Sequence, residues 1–465
     1  MPRYREIVGI GAEGPVYEYT SSIGHDEHIF REAVLVLLAH SLHLLERGLA
    51  PRWAVCRSVS ALLEALREGP RGVLRGGYED VWEALEAWLE ERAGPEASGY
   101  IWLGRSRNDH VSAALRLYTL GRIAETLVAL VEARRLLLEA ARRHLGVPVL
   151  LHTHAQPSQL ATLDCLLLAW EESLASSSRL LLSAAALVDR SPLGASAGAG
   201  TLAPLEPGRL AWLLGFQGVV SNPVYAAGSR LDVSAAAAAA ALFLAEASRI
   251  AGDLMLYSSP YVAAARLPAG HVATSSVMPH KRNPATLEVL RARAARGAGL
   301  LAGLLAVQKG LPSGYSLDLQ EANPLLYTLL EDAAASAAIL ADLFSGLEWD
   351  EARLRELAER YMAWGAELAE ALALKTGRPF RSAYADAAAA IREGRAGELL
   401  KALGYGGPLE LAAARSTGCR PGAGLEEAAG RLARDAGEAE RLAERVKSAA
   451  VRVVEKAREV AAGCR

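Results

Sequence analysis

The residues best suited to chemistry stand together in one segment, TSSVMPHKRNP, at residues 274–284. Ser275 offers a hydroxyl, and Lys281 is one of only six lysines in the chain. Asn is favoured at a helix N-cap and Pro at the first helical position, so Asn283 and Pro284 predict that a helix begins there. Donors at a helix N-terminus attract a carboxylate or a phosphate. The segment therefore predicts an anion site, with a polar connector and ordinary helix cap as the alternative.

A second polar segment, GRSRND at residues 104–109, precedes a long helical pattern over about residues 110–145. Either Asn108 or Asp109 is a suitable N-cap for that helix. Two arginines and an amide at the positive end of a helix can hold a further carboxylate. This segment therefore predicts a second anion-binding group.

Two shorter segments also carry polar groups. Taken alone, each is better explained without a function. Residues 153–156 read THAQ and follow the first long helix, but a histidine in a polar turn is more often simply solvated. Ser22 lies in the polar stretch 19–26, which alone is better explained as an N-cap cluster.

The composition limits the classes of protein that the chain can represent. Its 465 residues are 51% hydrophobic and 22% charged, with a formal net charge of −3. A large core in two or three domains is expected, and neither nucleic acid nor an anionic membrane is indicated as a partner. The longest apolar run, residues 235–245, is too short to span a bilayer, and the N-terminus lacks the apolar region of a signal peptide.

The four cysteines are far apart and form no CxxC pair, so neither a metal site nor a disulfide framework is predicted. A reducing cytoplasm is the simplest compartment for such a chain.

The hydrophobic periodicity predicts an all-α protein, because no stretch shows sustained strand alternation. Long helices are expected over about residues 29–49, 110–145, 158–190, 229–258 and 284–309, with a further one that ends near residue 346. Seven consecutive alanines in the 229–258 helix predict the closely packed centre of a bundle. The predicted domains are an N-terminal helical domain at 1–103, a central long-helix bundle at 104–349, and a C-terminal domain of shorter helices at 350–465.

These segments together carry a resemblance to a known family. The segment SSVMPHKRNP fills every fixed position of the signature pattern SSxMPxKxNP of the fumarase/aspartase superfamily, and THAQ matches its THxQ. GRSRND, and KGLPSGY at residues 309–315, resemble motifs of the argininosuccinate lyases within it. The resemblance implies a fumarase/aspartase-like bundle flanked by two smaller helical domains. It also implies an enzyme that splits argininosuccinate into L-arginine and fumarate without a metal or cofactor.

The same resemblance implies a role for individual residues. Ser275 would remove the carbon-bound proton, and His154 would assist the leaving nitrogen. Lys281 would stabilise the intermediate, and Glu288 would orient His154. The residues implied to bind the substrate are Ser22, Arg107, Asn108, Thr153, Gln156, Asn283, Tyr315 and Gln320.

The chain departs from the family pattern at several positions. Asn323 stands where the family has a substrate-binding Lys, and His280 where argininosuccinate lyases usually have Gln. Trp82 replaces a usual His after Glu79-Asp80, and Thr274 replaces a common Gly. Two alternatives therefore stay open: a lyase of another succinyl compound such as adenylosuccinate, and a non-catalytic relative like the lens crystallins.

The length of the first long helix restricts how a site can be assembled. Asn108 opens this helix and Thr153 and His154 follow its end, yet a helix over residues 110–145 is about 54 Å long. Groups at both ends of such a helix cannot touch one small substrate. Either the helix is broken, or chains share sites. No proline interrupts residues 110–145, so sharing is favoured, and a closed dihedral homotetramer is expected. The resemblance likewise implies that three chains contribute to each site.

Overall fold

A computed structural model describes residues 14–75 and 77–463. Cys464 lies outside the described residues. So does the N-terminus, for which the sequence predicted no signal peptide. The N-terminal third contains the following elements: α1 (Pro15–Thr20), α2 (Phe30–Glu46), α3 (Arg52–Glu68), α4 (Pro70–Val73), α5 (Val81–Ala93), α6 (Pro95–Tyr100), α7 (Arg107–Arg143), β1 (Pro148–Thr153) and β2 (Gln156–Thr162).

The rest of the chain adds long helices and then a group of shorter ones. The middle contains α8 (Leu163–Val188), β3 (Arg190–Ser191), α9 (Pro207–Leu214), β4 (Gly218–Val219), α10 (Pro223–Gly228), α11 (Leu231–Ser258), β5 (Ala265–Arg266), α12 (Ala285–Gln308) and α13 (Asp318–Ser345). The C-terminal part contains β6 (Glu348–Trp349), α14 (Glu351–Arg360), α15 (Gly365–Thr376), α16 (Phe380–Arg392), α17 (Ala396–Ala402), α18 (Pro408–Ala413) and α19 (Leu425–Ala462).

The long helices α7, α8, α11, α12 and α13 pack side by side around one hydrophobic core. The alanines of α11 allow the close packing that the sequence predicts, and Ala236, Ala237 and Ala240 are fully buried. Gly297 of α12 contributes to the same contact, because a Cβ atom there would lie 2.9 Å from the Leu244 side chain of α11. The all-α bundle predicted from periodicity is therefore confirmed.

The start of α7 differs from the prediction by a few residues. Its N-cap is Ser106, not Asn108 or Asp109. The Ser106 hydroxyl accepts from the Asn108 N–H at 3.3 Å, and the Asp109 carboxylate accepts from the Ser106 N–H at 3.1 Å. This reciprocal capping box satisfies two donors that the first helical turn leaves free, so the helix begins at Arg107.

The segment after α7 forms two strands that the periodicity did not predict. β1 and β2 make an antiparallel hairpin whose turn is His154-Ala155, and the second long helix begins at Leu163 instead of near residue 158. The turn has positive φ at both central residues, 53° at His154 and 58° at Ala155. Such a turn normally carries Asn-Gly, and the absence of that signal concealed the hairpin.

The last helix also differs from the prediction of shorter C-terminal helices. Helices α15 to α18 do form a small core of their own around Leu368 and Leu400. Helix α19, in contrast, has 38 residues and packs against α7, α3 and α8 in the main core. The domain boundaries at residues 103 and 349 stay predictions.

A buried ion cluster joins α19 to the bundle. The fully buried Arg134 of α7 contacts Glu171 of α8 at 2.9 Å and Asp435 of α19 at 2.8 Å. Arg179 contacts the other oxygen of Asp435 at 2.6 Å. Buried charges require partners in a defined geometry, so this cluster favours one position of α19 over its alternatives.

A disulfide bond joins Cys165 near the start of α8 to Cys419 in the loop after α18. The prediction that the cysteines form no disulfide is therefore wrong. The two residues are 254 positions apart in the sequence, and their Cα atoms are 5.5 Å apart in the fold. Spacing rules detect bonds between neighbouring cysteines, and they carry no information about a pair brought together by tertiary packing. Cys56 is also disulfide-bonded.

We expect Cys165→Ser to lower the free energy of unfolding by up to about 5 kcal/mol, because the bond closes a very long loop in the unfolded chain. Denaturant unfolding of both proteins under oxidising conditions measures the difference. The substitution isolates this bond, whereas a reductant would act on Cys56 as well. An unchanged unfolding midpoint would contradict a stabilising role.

Three helical segments are long and apolar enough to cross a membrane when judged by length and composition alone: Asp26–Glu46, Leu231–Ser258 and Asp318–Ser345. The uninterrupted apolar run at residues 235–245 lies within the second of these segments. In each segment, more than half of the 18-residue stretch that is apolar enough is buried against the rest of the protein.

Candidate active site

The first group of predicted site residues lines a pocket of about 120 Å³ at the N-terminal end of α7. The predicted residues that it brings together are Ser22, Arg107, Asn108, Tyr315 and Gln320, and Asn323 lines it as well. These residues come from three separate parts of the chain. The pocket exists because α7 and α13 lie side by side and the segment before α2 crosses their ends.

The pocket also contains three carboxylates that the sequence did not single out as site residues: Asp26, Glu79 and Asp80. Asp80 caps α5 and contacts the Arg107 guanidinium at 2.5 Å. The Ser22 hydroxyl donates to Asp26 at 2.9 Å, and the Val81 N–H donates to the same Asp26 oxygen at 2.8 Å. Burial raises the pKa of Asp26 to about 7. Arg107 and Ser22 are thus held by acidic partners.

The remaining residues of this pocket are fixed by their neighbours. The Gln320 amide donates to the Thr20 carbonyl at 3.0 Å, and the Asn108 amide donates to the Ala197 carbonyl at 3.4 Å. Tyr315 lies 5.9 Å from the Arg230 guanidinium, measured to its ring centre, and burial raises its pKa. The phenol therefore stays protonated and can donate a hydrogen bond to a ligand.

The signature segment forms a loop that is closed at its base. Two main-chain hydrogen bonds join Ala273 and Asn283, at 2.9 and 2.8 Å. Helix α12 consequently begins at Ala285 with Pro284 as its cap, so the prediction that Asn283 caps this helix is wrong. Asn283 uses its main chain for the bridge to Ala273 instead.

Within the loop, two main-chain N–H groups point at the Ser275 hydroxyl oxygen. The oxygen accepts from the Met278 N–H at 3.1 Å and from the Val277 N–H at 3.3 Å. Donors aimed at an oxygen stabilise its negatively charged form. Ser275 is half-buried, whereas Lys281 is exposed, and the Lys281 N–H donates to the Met278 carbonyl at 3.0 Å. Ser275 also lines a cavity of about 1190 Å³ between the loop and the end of α11.

The predicted residues Thr153, His154 and Gln156 lie at the exposed tip of the β1–β2 hairpin. His154 has a left-handed main-chain conformation, which is uncommon for a residue with a side chain and concentrates at functional sites. Glu288 is exposed in the first turn of α12, on a different element from the hairpin.

The structure places the pocket around Asn108 at one end of the bundle, and the Ser275 loop and the β1–β2 hairpin at the other end. The hairpin lies at the C-terminal end of α11, where the Tyr257 hydroxyl donates to the Leu150 carbonyl at 2.8 Å. The Ser275 cavity includes Ser258 at this same end. Helix α7, with 37 residues, is about 55 Å long and separates the pocket around Asn108 from the hairpin. One chain therefore holds two partial sites and does not bring Asn108 to Ser275.

Comparison with known proteins agrees with these features. Residues 16–299 match the family described as Lyase. The chain is 43% identical to the argininosuccinate lyase of Pyrobaculum calidifontis over 396 residues, which cover 85% of this chain and 91% of that protein. It is 41% identical to the argininosuccinate lyase of Pyrobaculum arsenaticum over 431 residues, covering 90% and 99% of the two chains.

Solved structures share the fold at lower sequence identity. EDDS lyase in complex with formate superposes with a TM-score of 0.83 at 24% identity, covering all of this chain and 99% of that one. Class II fumarase from Schistosoma mansoni superposes with a TM-score of 0.67 at 18% identity, covering 83% and 91% of the two chains. The long-helix bundle, the match to the lyase family and the identity to these relatives agree, and the chain belongs to the argininosuccinate lyases of the fumarase/aspartase superfamily.

Proposed function

We propose that this carbon–nitrogen lyase cleaves argininosuccinate to L-arginine and fumarate, the last step of a route to arginine. The proposal rests on the surroundings of the Ser275 oxygen. This oxygen accepts hydrogen bonds from two main-chain N–H groups, and its loop leads into the N-terminus of α12. This arrangement suits the removal of a proton next to a carboxylate, which is the difficult step of such an elimination.

Ser275 takes the proton from the carbon next to the succinyl carboxylate. A serine hydroxyl is a weak base at its ordinary acidity, so its alkoxide needs stabilising surroundings. The N–H groups of Val277 and Met278 supply part of that stabilisation, and the Lys281 ammonium lies on the same loop. The exposed loop would close over the substrate to exclude water from the alkoxide.

The carbanion spreads its charge into the neighbouring carboxylate, which then carries an additional negative charge. Lys281, the Asn283 amide and the N–H groups at the start of α12 are the donors suited to this intermediate. One well-placed donor of this kind contributes about 3–4 kcal/mol to catalysis.

His154 donates a proton to the leaving guanidino nitrogen when the carbon–nitrogen bond breaks, and Glu288 orients its ring. Thr153 and Gln156 on either side of the turn hold the substrate. In the pocket at the other end of the bundle, Arg107 and Asn108 suit a carboxylate, and the acidic residues Asp26 and Asp80 favour a cationic partner.

Adenylosuccinate-type cleavage is the alternative, because His280 is nearer to the adenylosuccinate lyase pattern. To distinguish the two activities, purified protein is given each compound in turn. The absorbance of released fumarate measures cleavage of each. Release from argininosuccinate alone is expected. Release from adenylosuccinate alone would replace the proposal.

A homotetramer in which three chains complete each site is the assembly that we propose. The separation of the two partial sites supports it, since a single chain leaves each of them incomplete. The outer faces of the long helices also expose apolar side chains, including Leu231, Leu242, Val289, Leu305 and Ile339. Burial of such faces between antiparallel bundles is the usual basis of stable symmetric association.

The cytoplasm is the compartment that we propose for this activity. Disulfide bonds are uncommon in most cytoplasms, but intracellular proteins of hyperthermophiles are rich in them. The Cys165–Cys419 bond is compatible with that second setting.

Asn323→Lys is expected to lower the apparent KM for argininosuccinate by about tenfold or more, because a charged hydrogen bond contributes about 1.5–3 kcal/mol. Asn323 lines the pocket that holds Arg107 and Asn108, where an added cation would attract a substrate carboxylate. Initial rates of fumarate release measure the change. Asn323→Met is the matched control, with a similar length and no charge. An unchanged or raised KM in Asn323→Lys would show that another group already fills this role.

A further inference from the structure

The hairpin that carries His154 is held on its outer edge by the C-terminal part of the chain. The Leu160 N–H of β2 donates to the Ala363 carbonyl at 2.7 Å. The Leu160 carbonyl accepts from the Arg415 guanidinium at 2.6 Å. Both main-chain groups of Leu160 are thus bonded to residues more than 200 positions later in the sequence. The edge of β2 is therefore hydrogen-bonded to the segments before α15 and after α18 and not to solvent.

Glu367 of α15 fixes the direction of the Arg415 side chain. Its Oε1 atom accepts from Arg415 Nε at 3.1 Å and forms a second, shorter contact with the same guanidinium. The same oxygen accepts from the Gln159 side chain of β2 at 3.1 Å. Glu367 is 5% exposed, so its charge needs this cation in a defined geometry. The pair consequently acts as one bridge with two attachments to β2.

Covalent and hydrogen bonds hold the same region to the bundle. Cys419 lies four residues after Arg415 and is bonded to Cys165, just beyond the end of β2. The Asp164 carboxylate accepts from the Gly146 N–H at 3.0 Å and from the Gly422 N–H at 2.8 Å. Both ends of the hairpin and the loop after α18 are therefore fixed to each other.

We infer that Glu367 and Arg415 are positioning residues for His154, acting through β2. The His154-Ala155 turn is left-handed at both residues, and such a conformation persists only where the surrounding structure enforces it. Proton transfer to a leaving group tolerates displacement of the donor poorly. The bridge restrains β2 from outside, on the edge that the bundle does not cover. The inference rests on the proposed role of His154 in argininosuccinate cleavage.

The test compares Arg415→Ala and Glu367→Gln with a matched control, Arg378→Ala. Arg378 forms an exposed ion pair with Asp386 in the same C-terminal helices. We expect kcat for fumarate release to fall about tenfold or more in the first two variants and to stay within twofold in the control. Arg415→Lys, which keeps the cation, should recover part of the loss. Amide hydrogen exchange should become faster in residues 149–162 of the affected variants.

Circular dichroism and the unfolding midpoint first establish that each variant is folded. If Arg415→Ala does not fold, the double variant Glu367→Gln/Arg415→Gln removes both charges together and takes its place. An unchanged kcat in a folded variant would overturn the inference, as would equal losses in Arg378→Ala. If the unmodified protein fails to cleave argininosuccinate, the proposed function falls, and hydrogen exchange in residues 149–162 still decides whether the bridge holds the hairpin.

Discussion

Ser275→Ala is expected to lower kcat for fumarate release by about 10⁴-fold, the upper range for loss of a positioned base. The protein should still fold and bind argininosuccinate. The Ser275 oxygen accepts hydrogen bonds from two main-chain N–H groups, in a loop that also carries Lys281. Alanine has no side-chain oxygen at this position to accept the proton. Fumarate absorbance measures the rate, and isothermal titration measures binding.

Ser276→Ala is the matched control for this substitution. It removes a neighbouring hydroxyl from the same loop, and Ser276 is exposed. We expect its kcat to stay within a few-fold of the unmodified protein. Turnover near the original value in Ser275→Ala, with a native circular dichroism spectrum, would remove Ser275 from the mechanism.

Mixing two inactive variants should restore activity if chains share sites. Asn108→Ala damages the pocket at one end of the bundle, and Ser275→Ala damages the loop at the other end. When the two are denatured and refolded together, a random one-to-one assembly leaves about one quarter of the sites with both motifs intact, because each site draws the motifs from different chains. Specific activity should then approach about a quarter of the original value.

Each variant refolded alone is the control, and neither should gain activity. Sedimentation or light scattering of the same samples reports the assembly. A mixture that stays inactive, or an unmodified protein that remains fully active as a dilute monomer, would show that one chain completes its own site.

The sequence predicted those parts of the fold that depend on the spacing and type of residues close together in the chain. The apolar spacing of α7 and the alanines of α11 specify long helices that pack closely, whatever the rest of the chain does. The polar segments GRSRND and TSSVMPHKRNP also stand where helices begin, within a few residues of the predicted positions. The predicted roles of their side chains await the experiments above.

The features that the sequence did not predict depend on contacts between distant residues. Cys165 and Cys419 give no spacing signal across 254 positions. Asp26 and Asp80 look like ordinary capping residues until the pocket places them beside Ser22 and Arg107. The β1–β2 hairpin was concealed for a different reason, since its turn uses His154 and Ala155 where glycine and asparagine are common. His154, for which we propose a role in proton transfer, thus takes a turn position that local propensity assigns to other residues.

The pairing of β1 with β2 limits how the gene can change by insertion or deletion. Thr153 pairs with Gln156 across a two-residue turn, and side chains alternate between the two faces of a strand. One codon gained or lost between positions 153 and 160 would turn the following residues of β2 to the opposite face. Leu160 would then lose its pairing with Leu150, and Gln159 would lose Glu367. Length variants in this family should therefore be rare in this hairpin and accumulate in exposed loops.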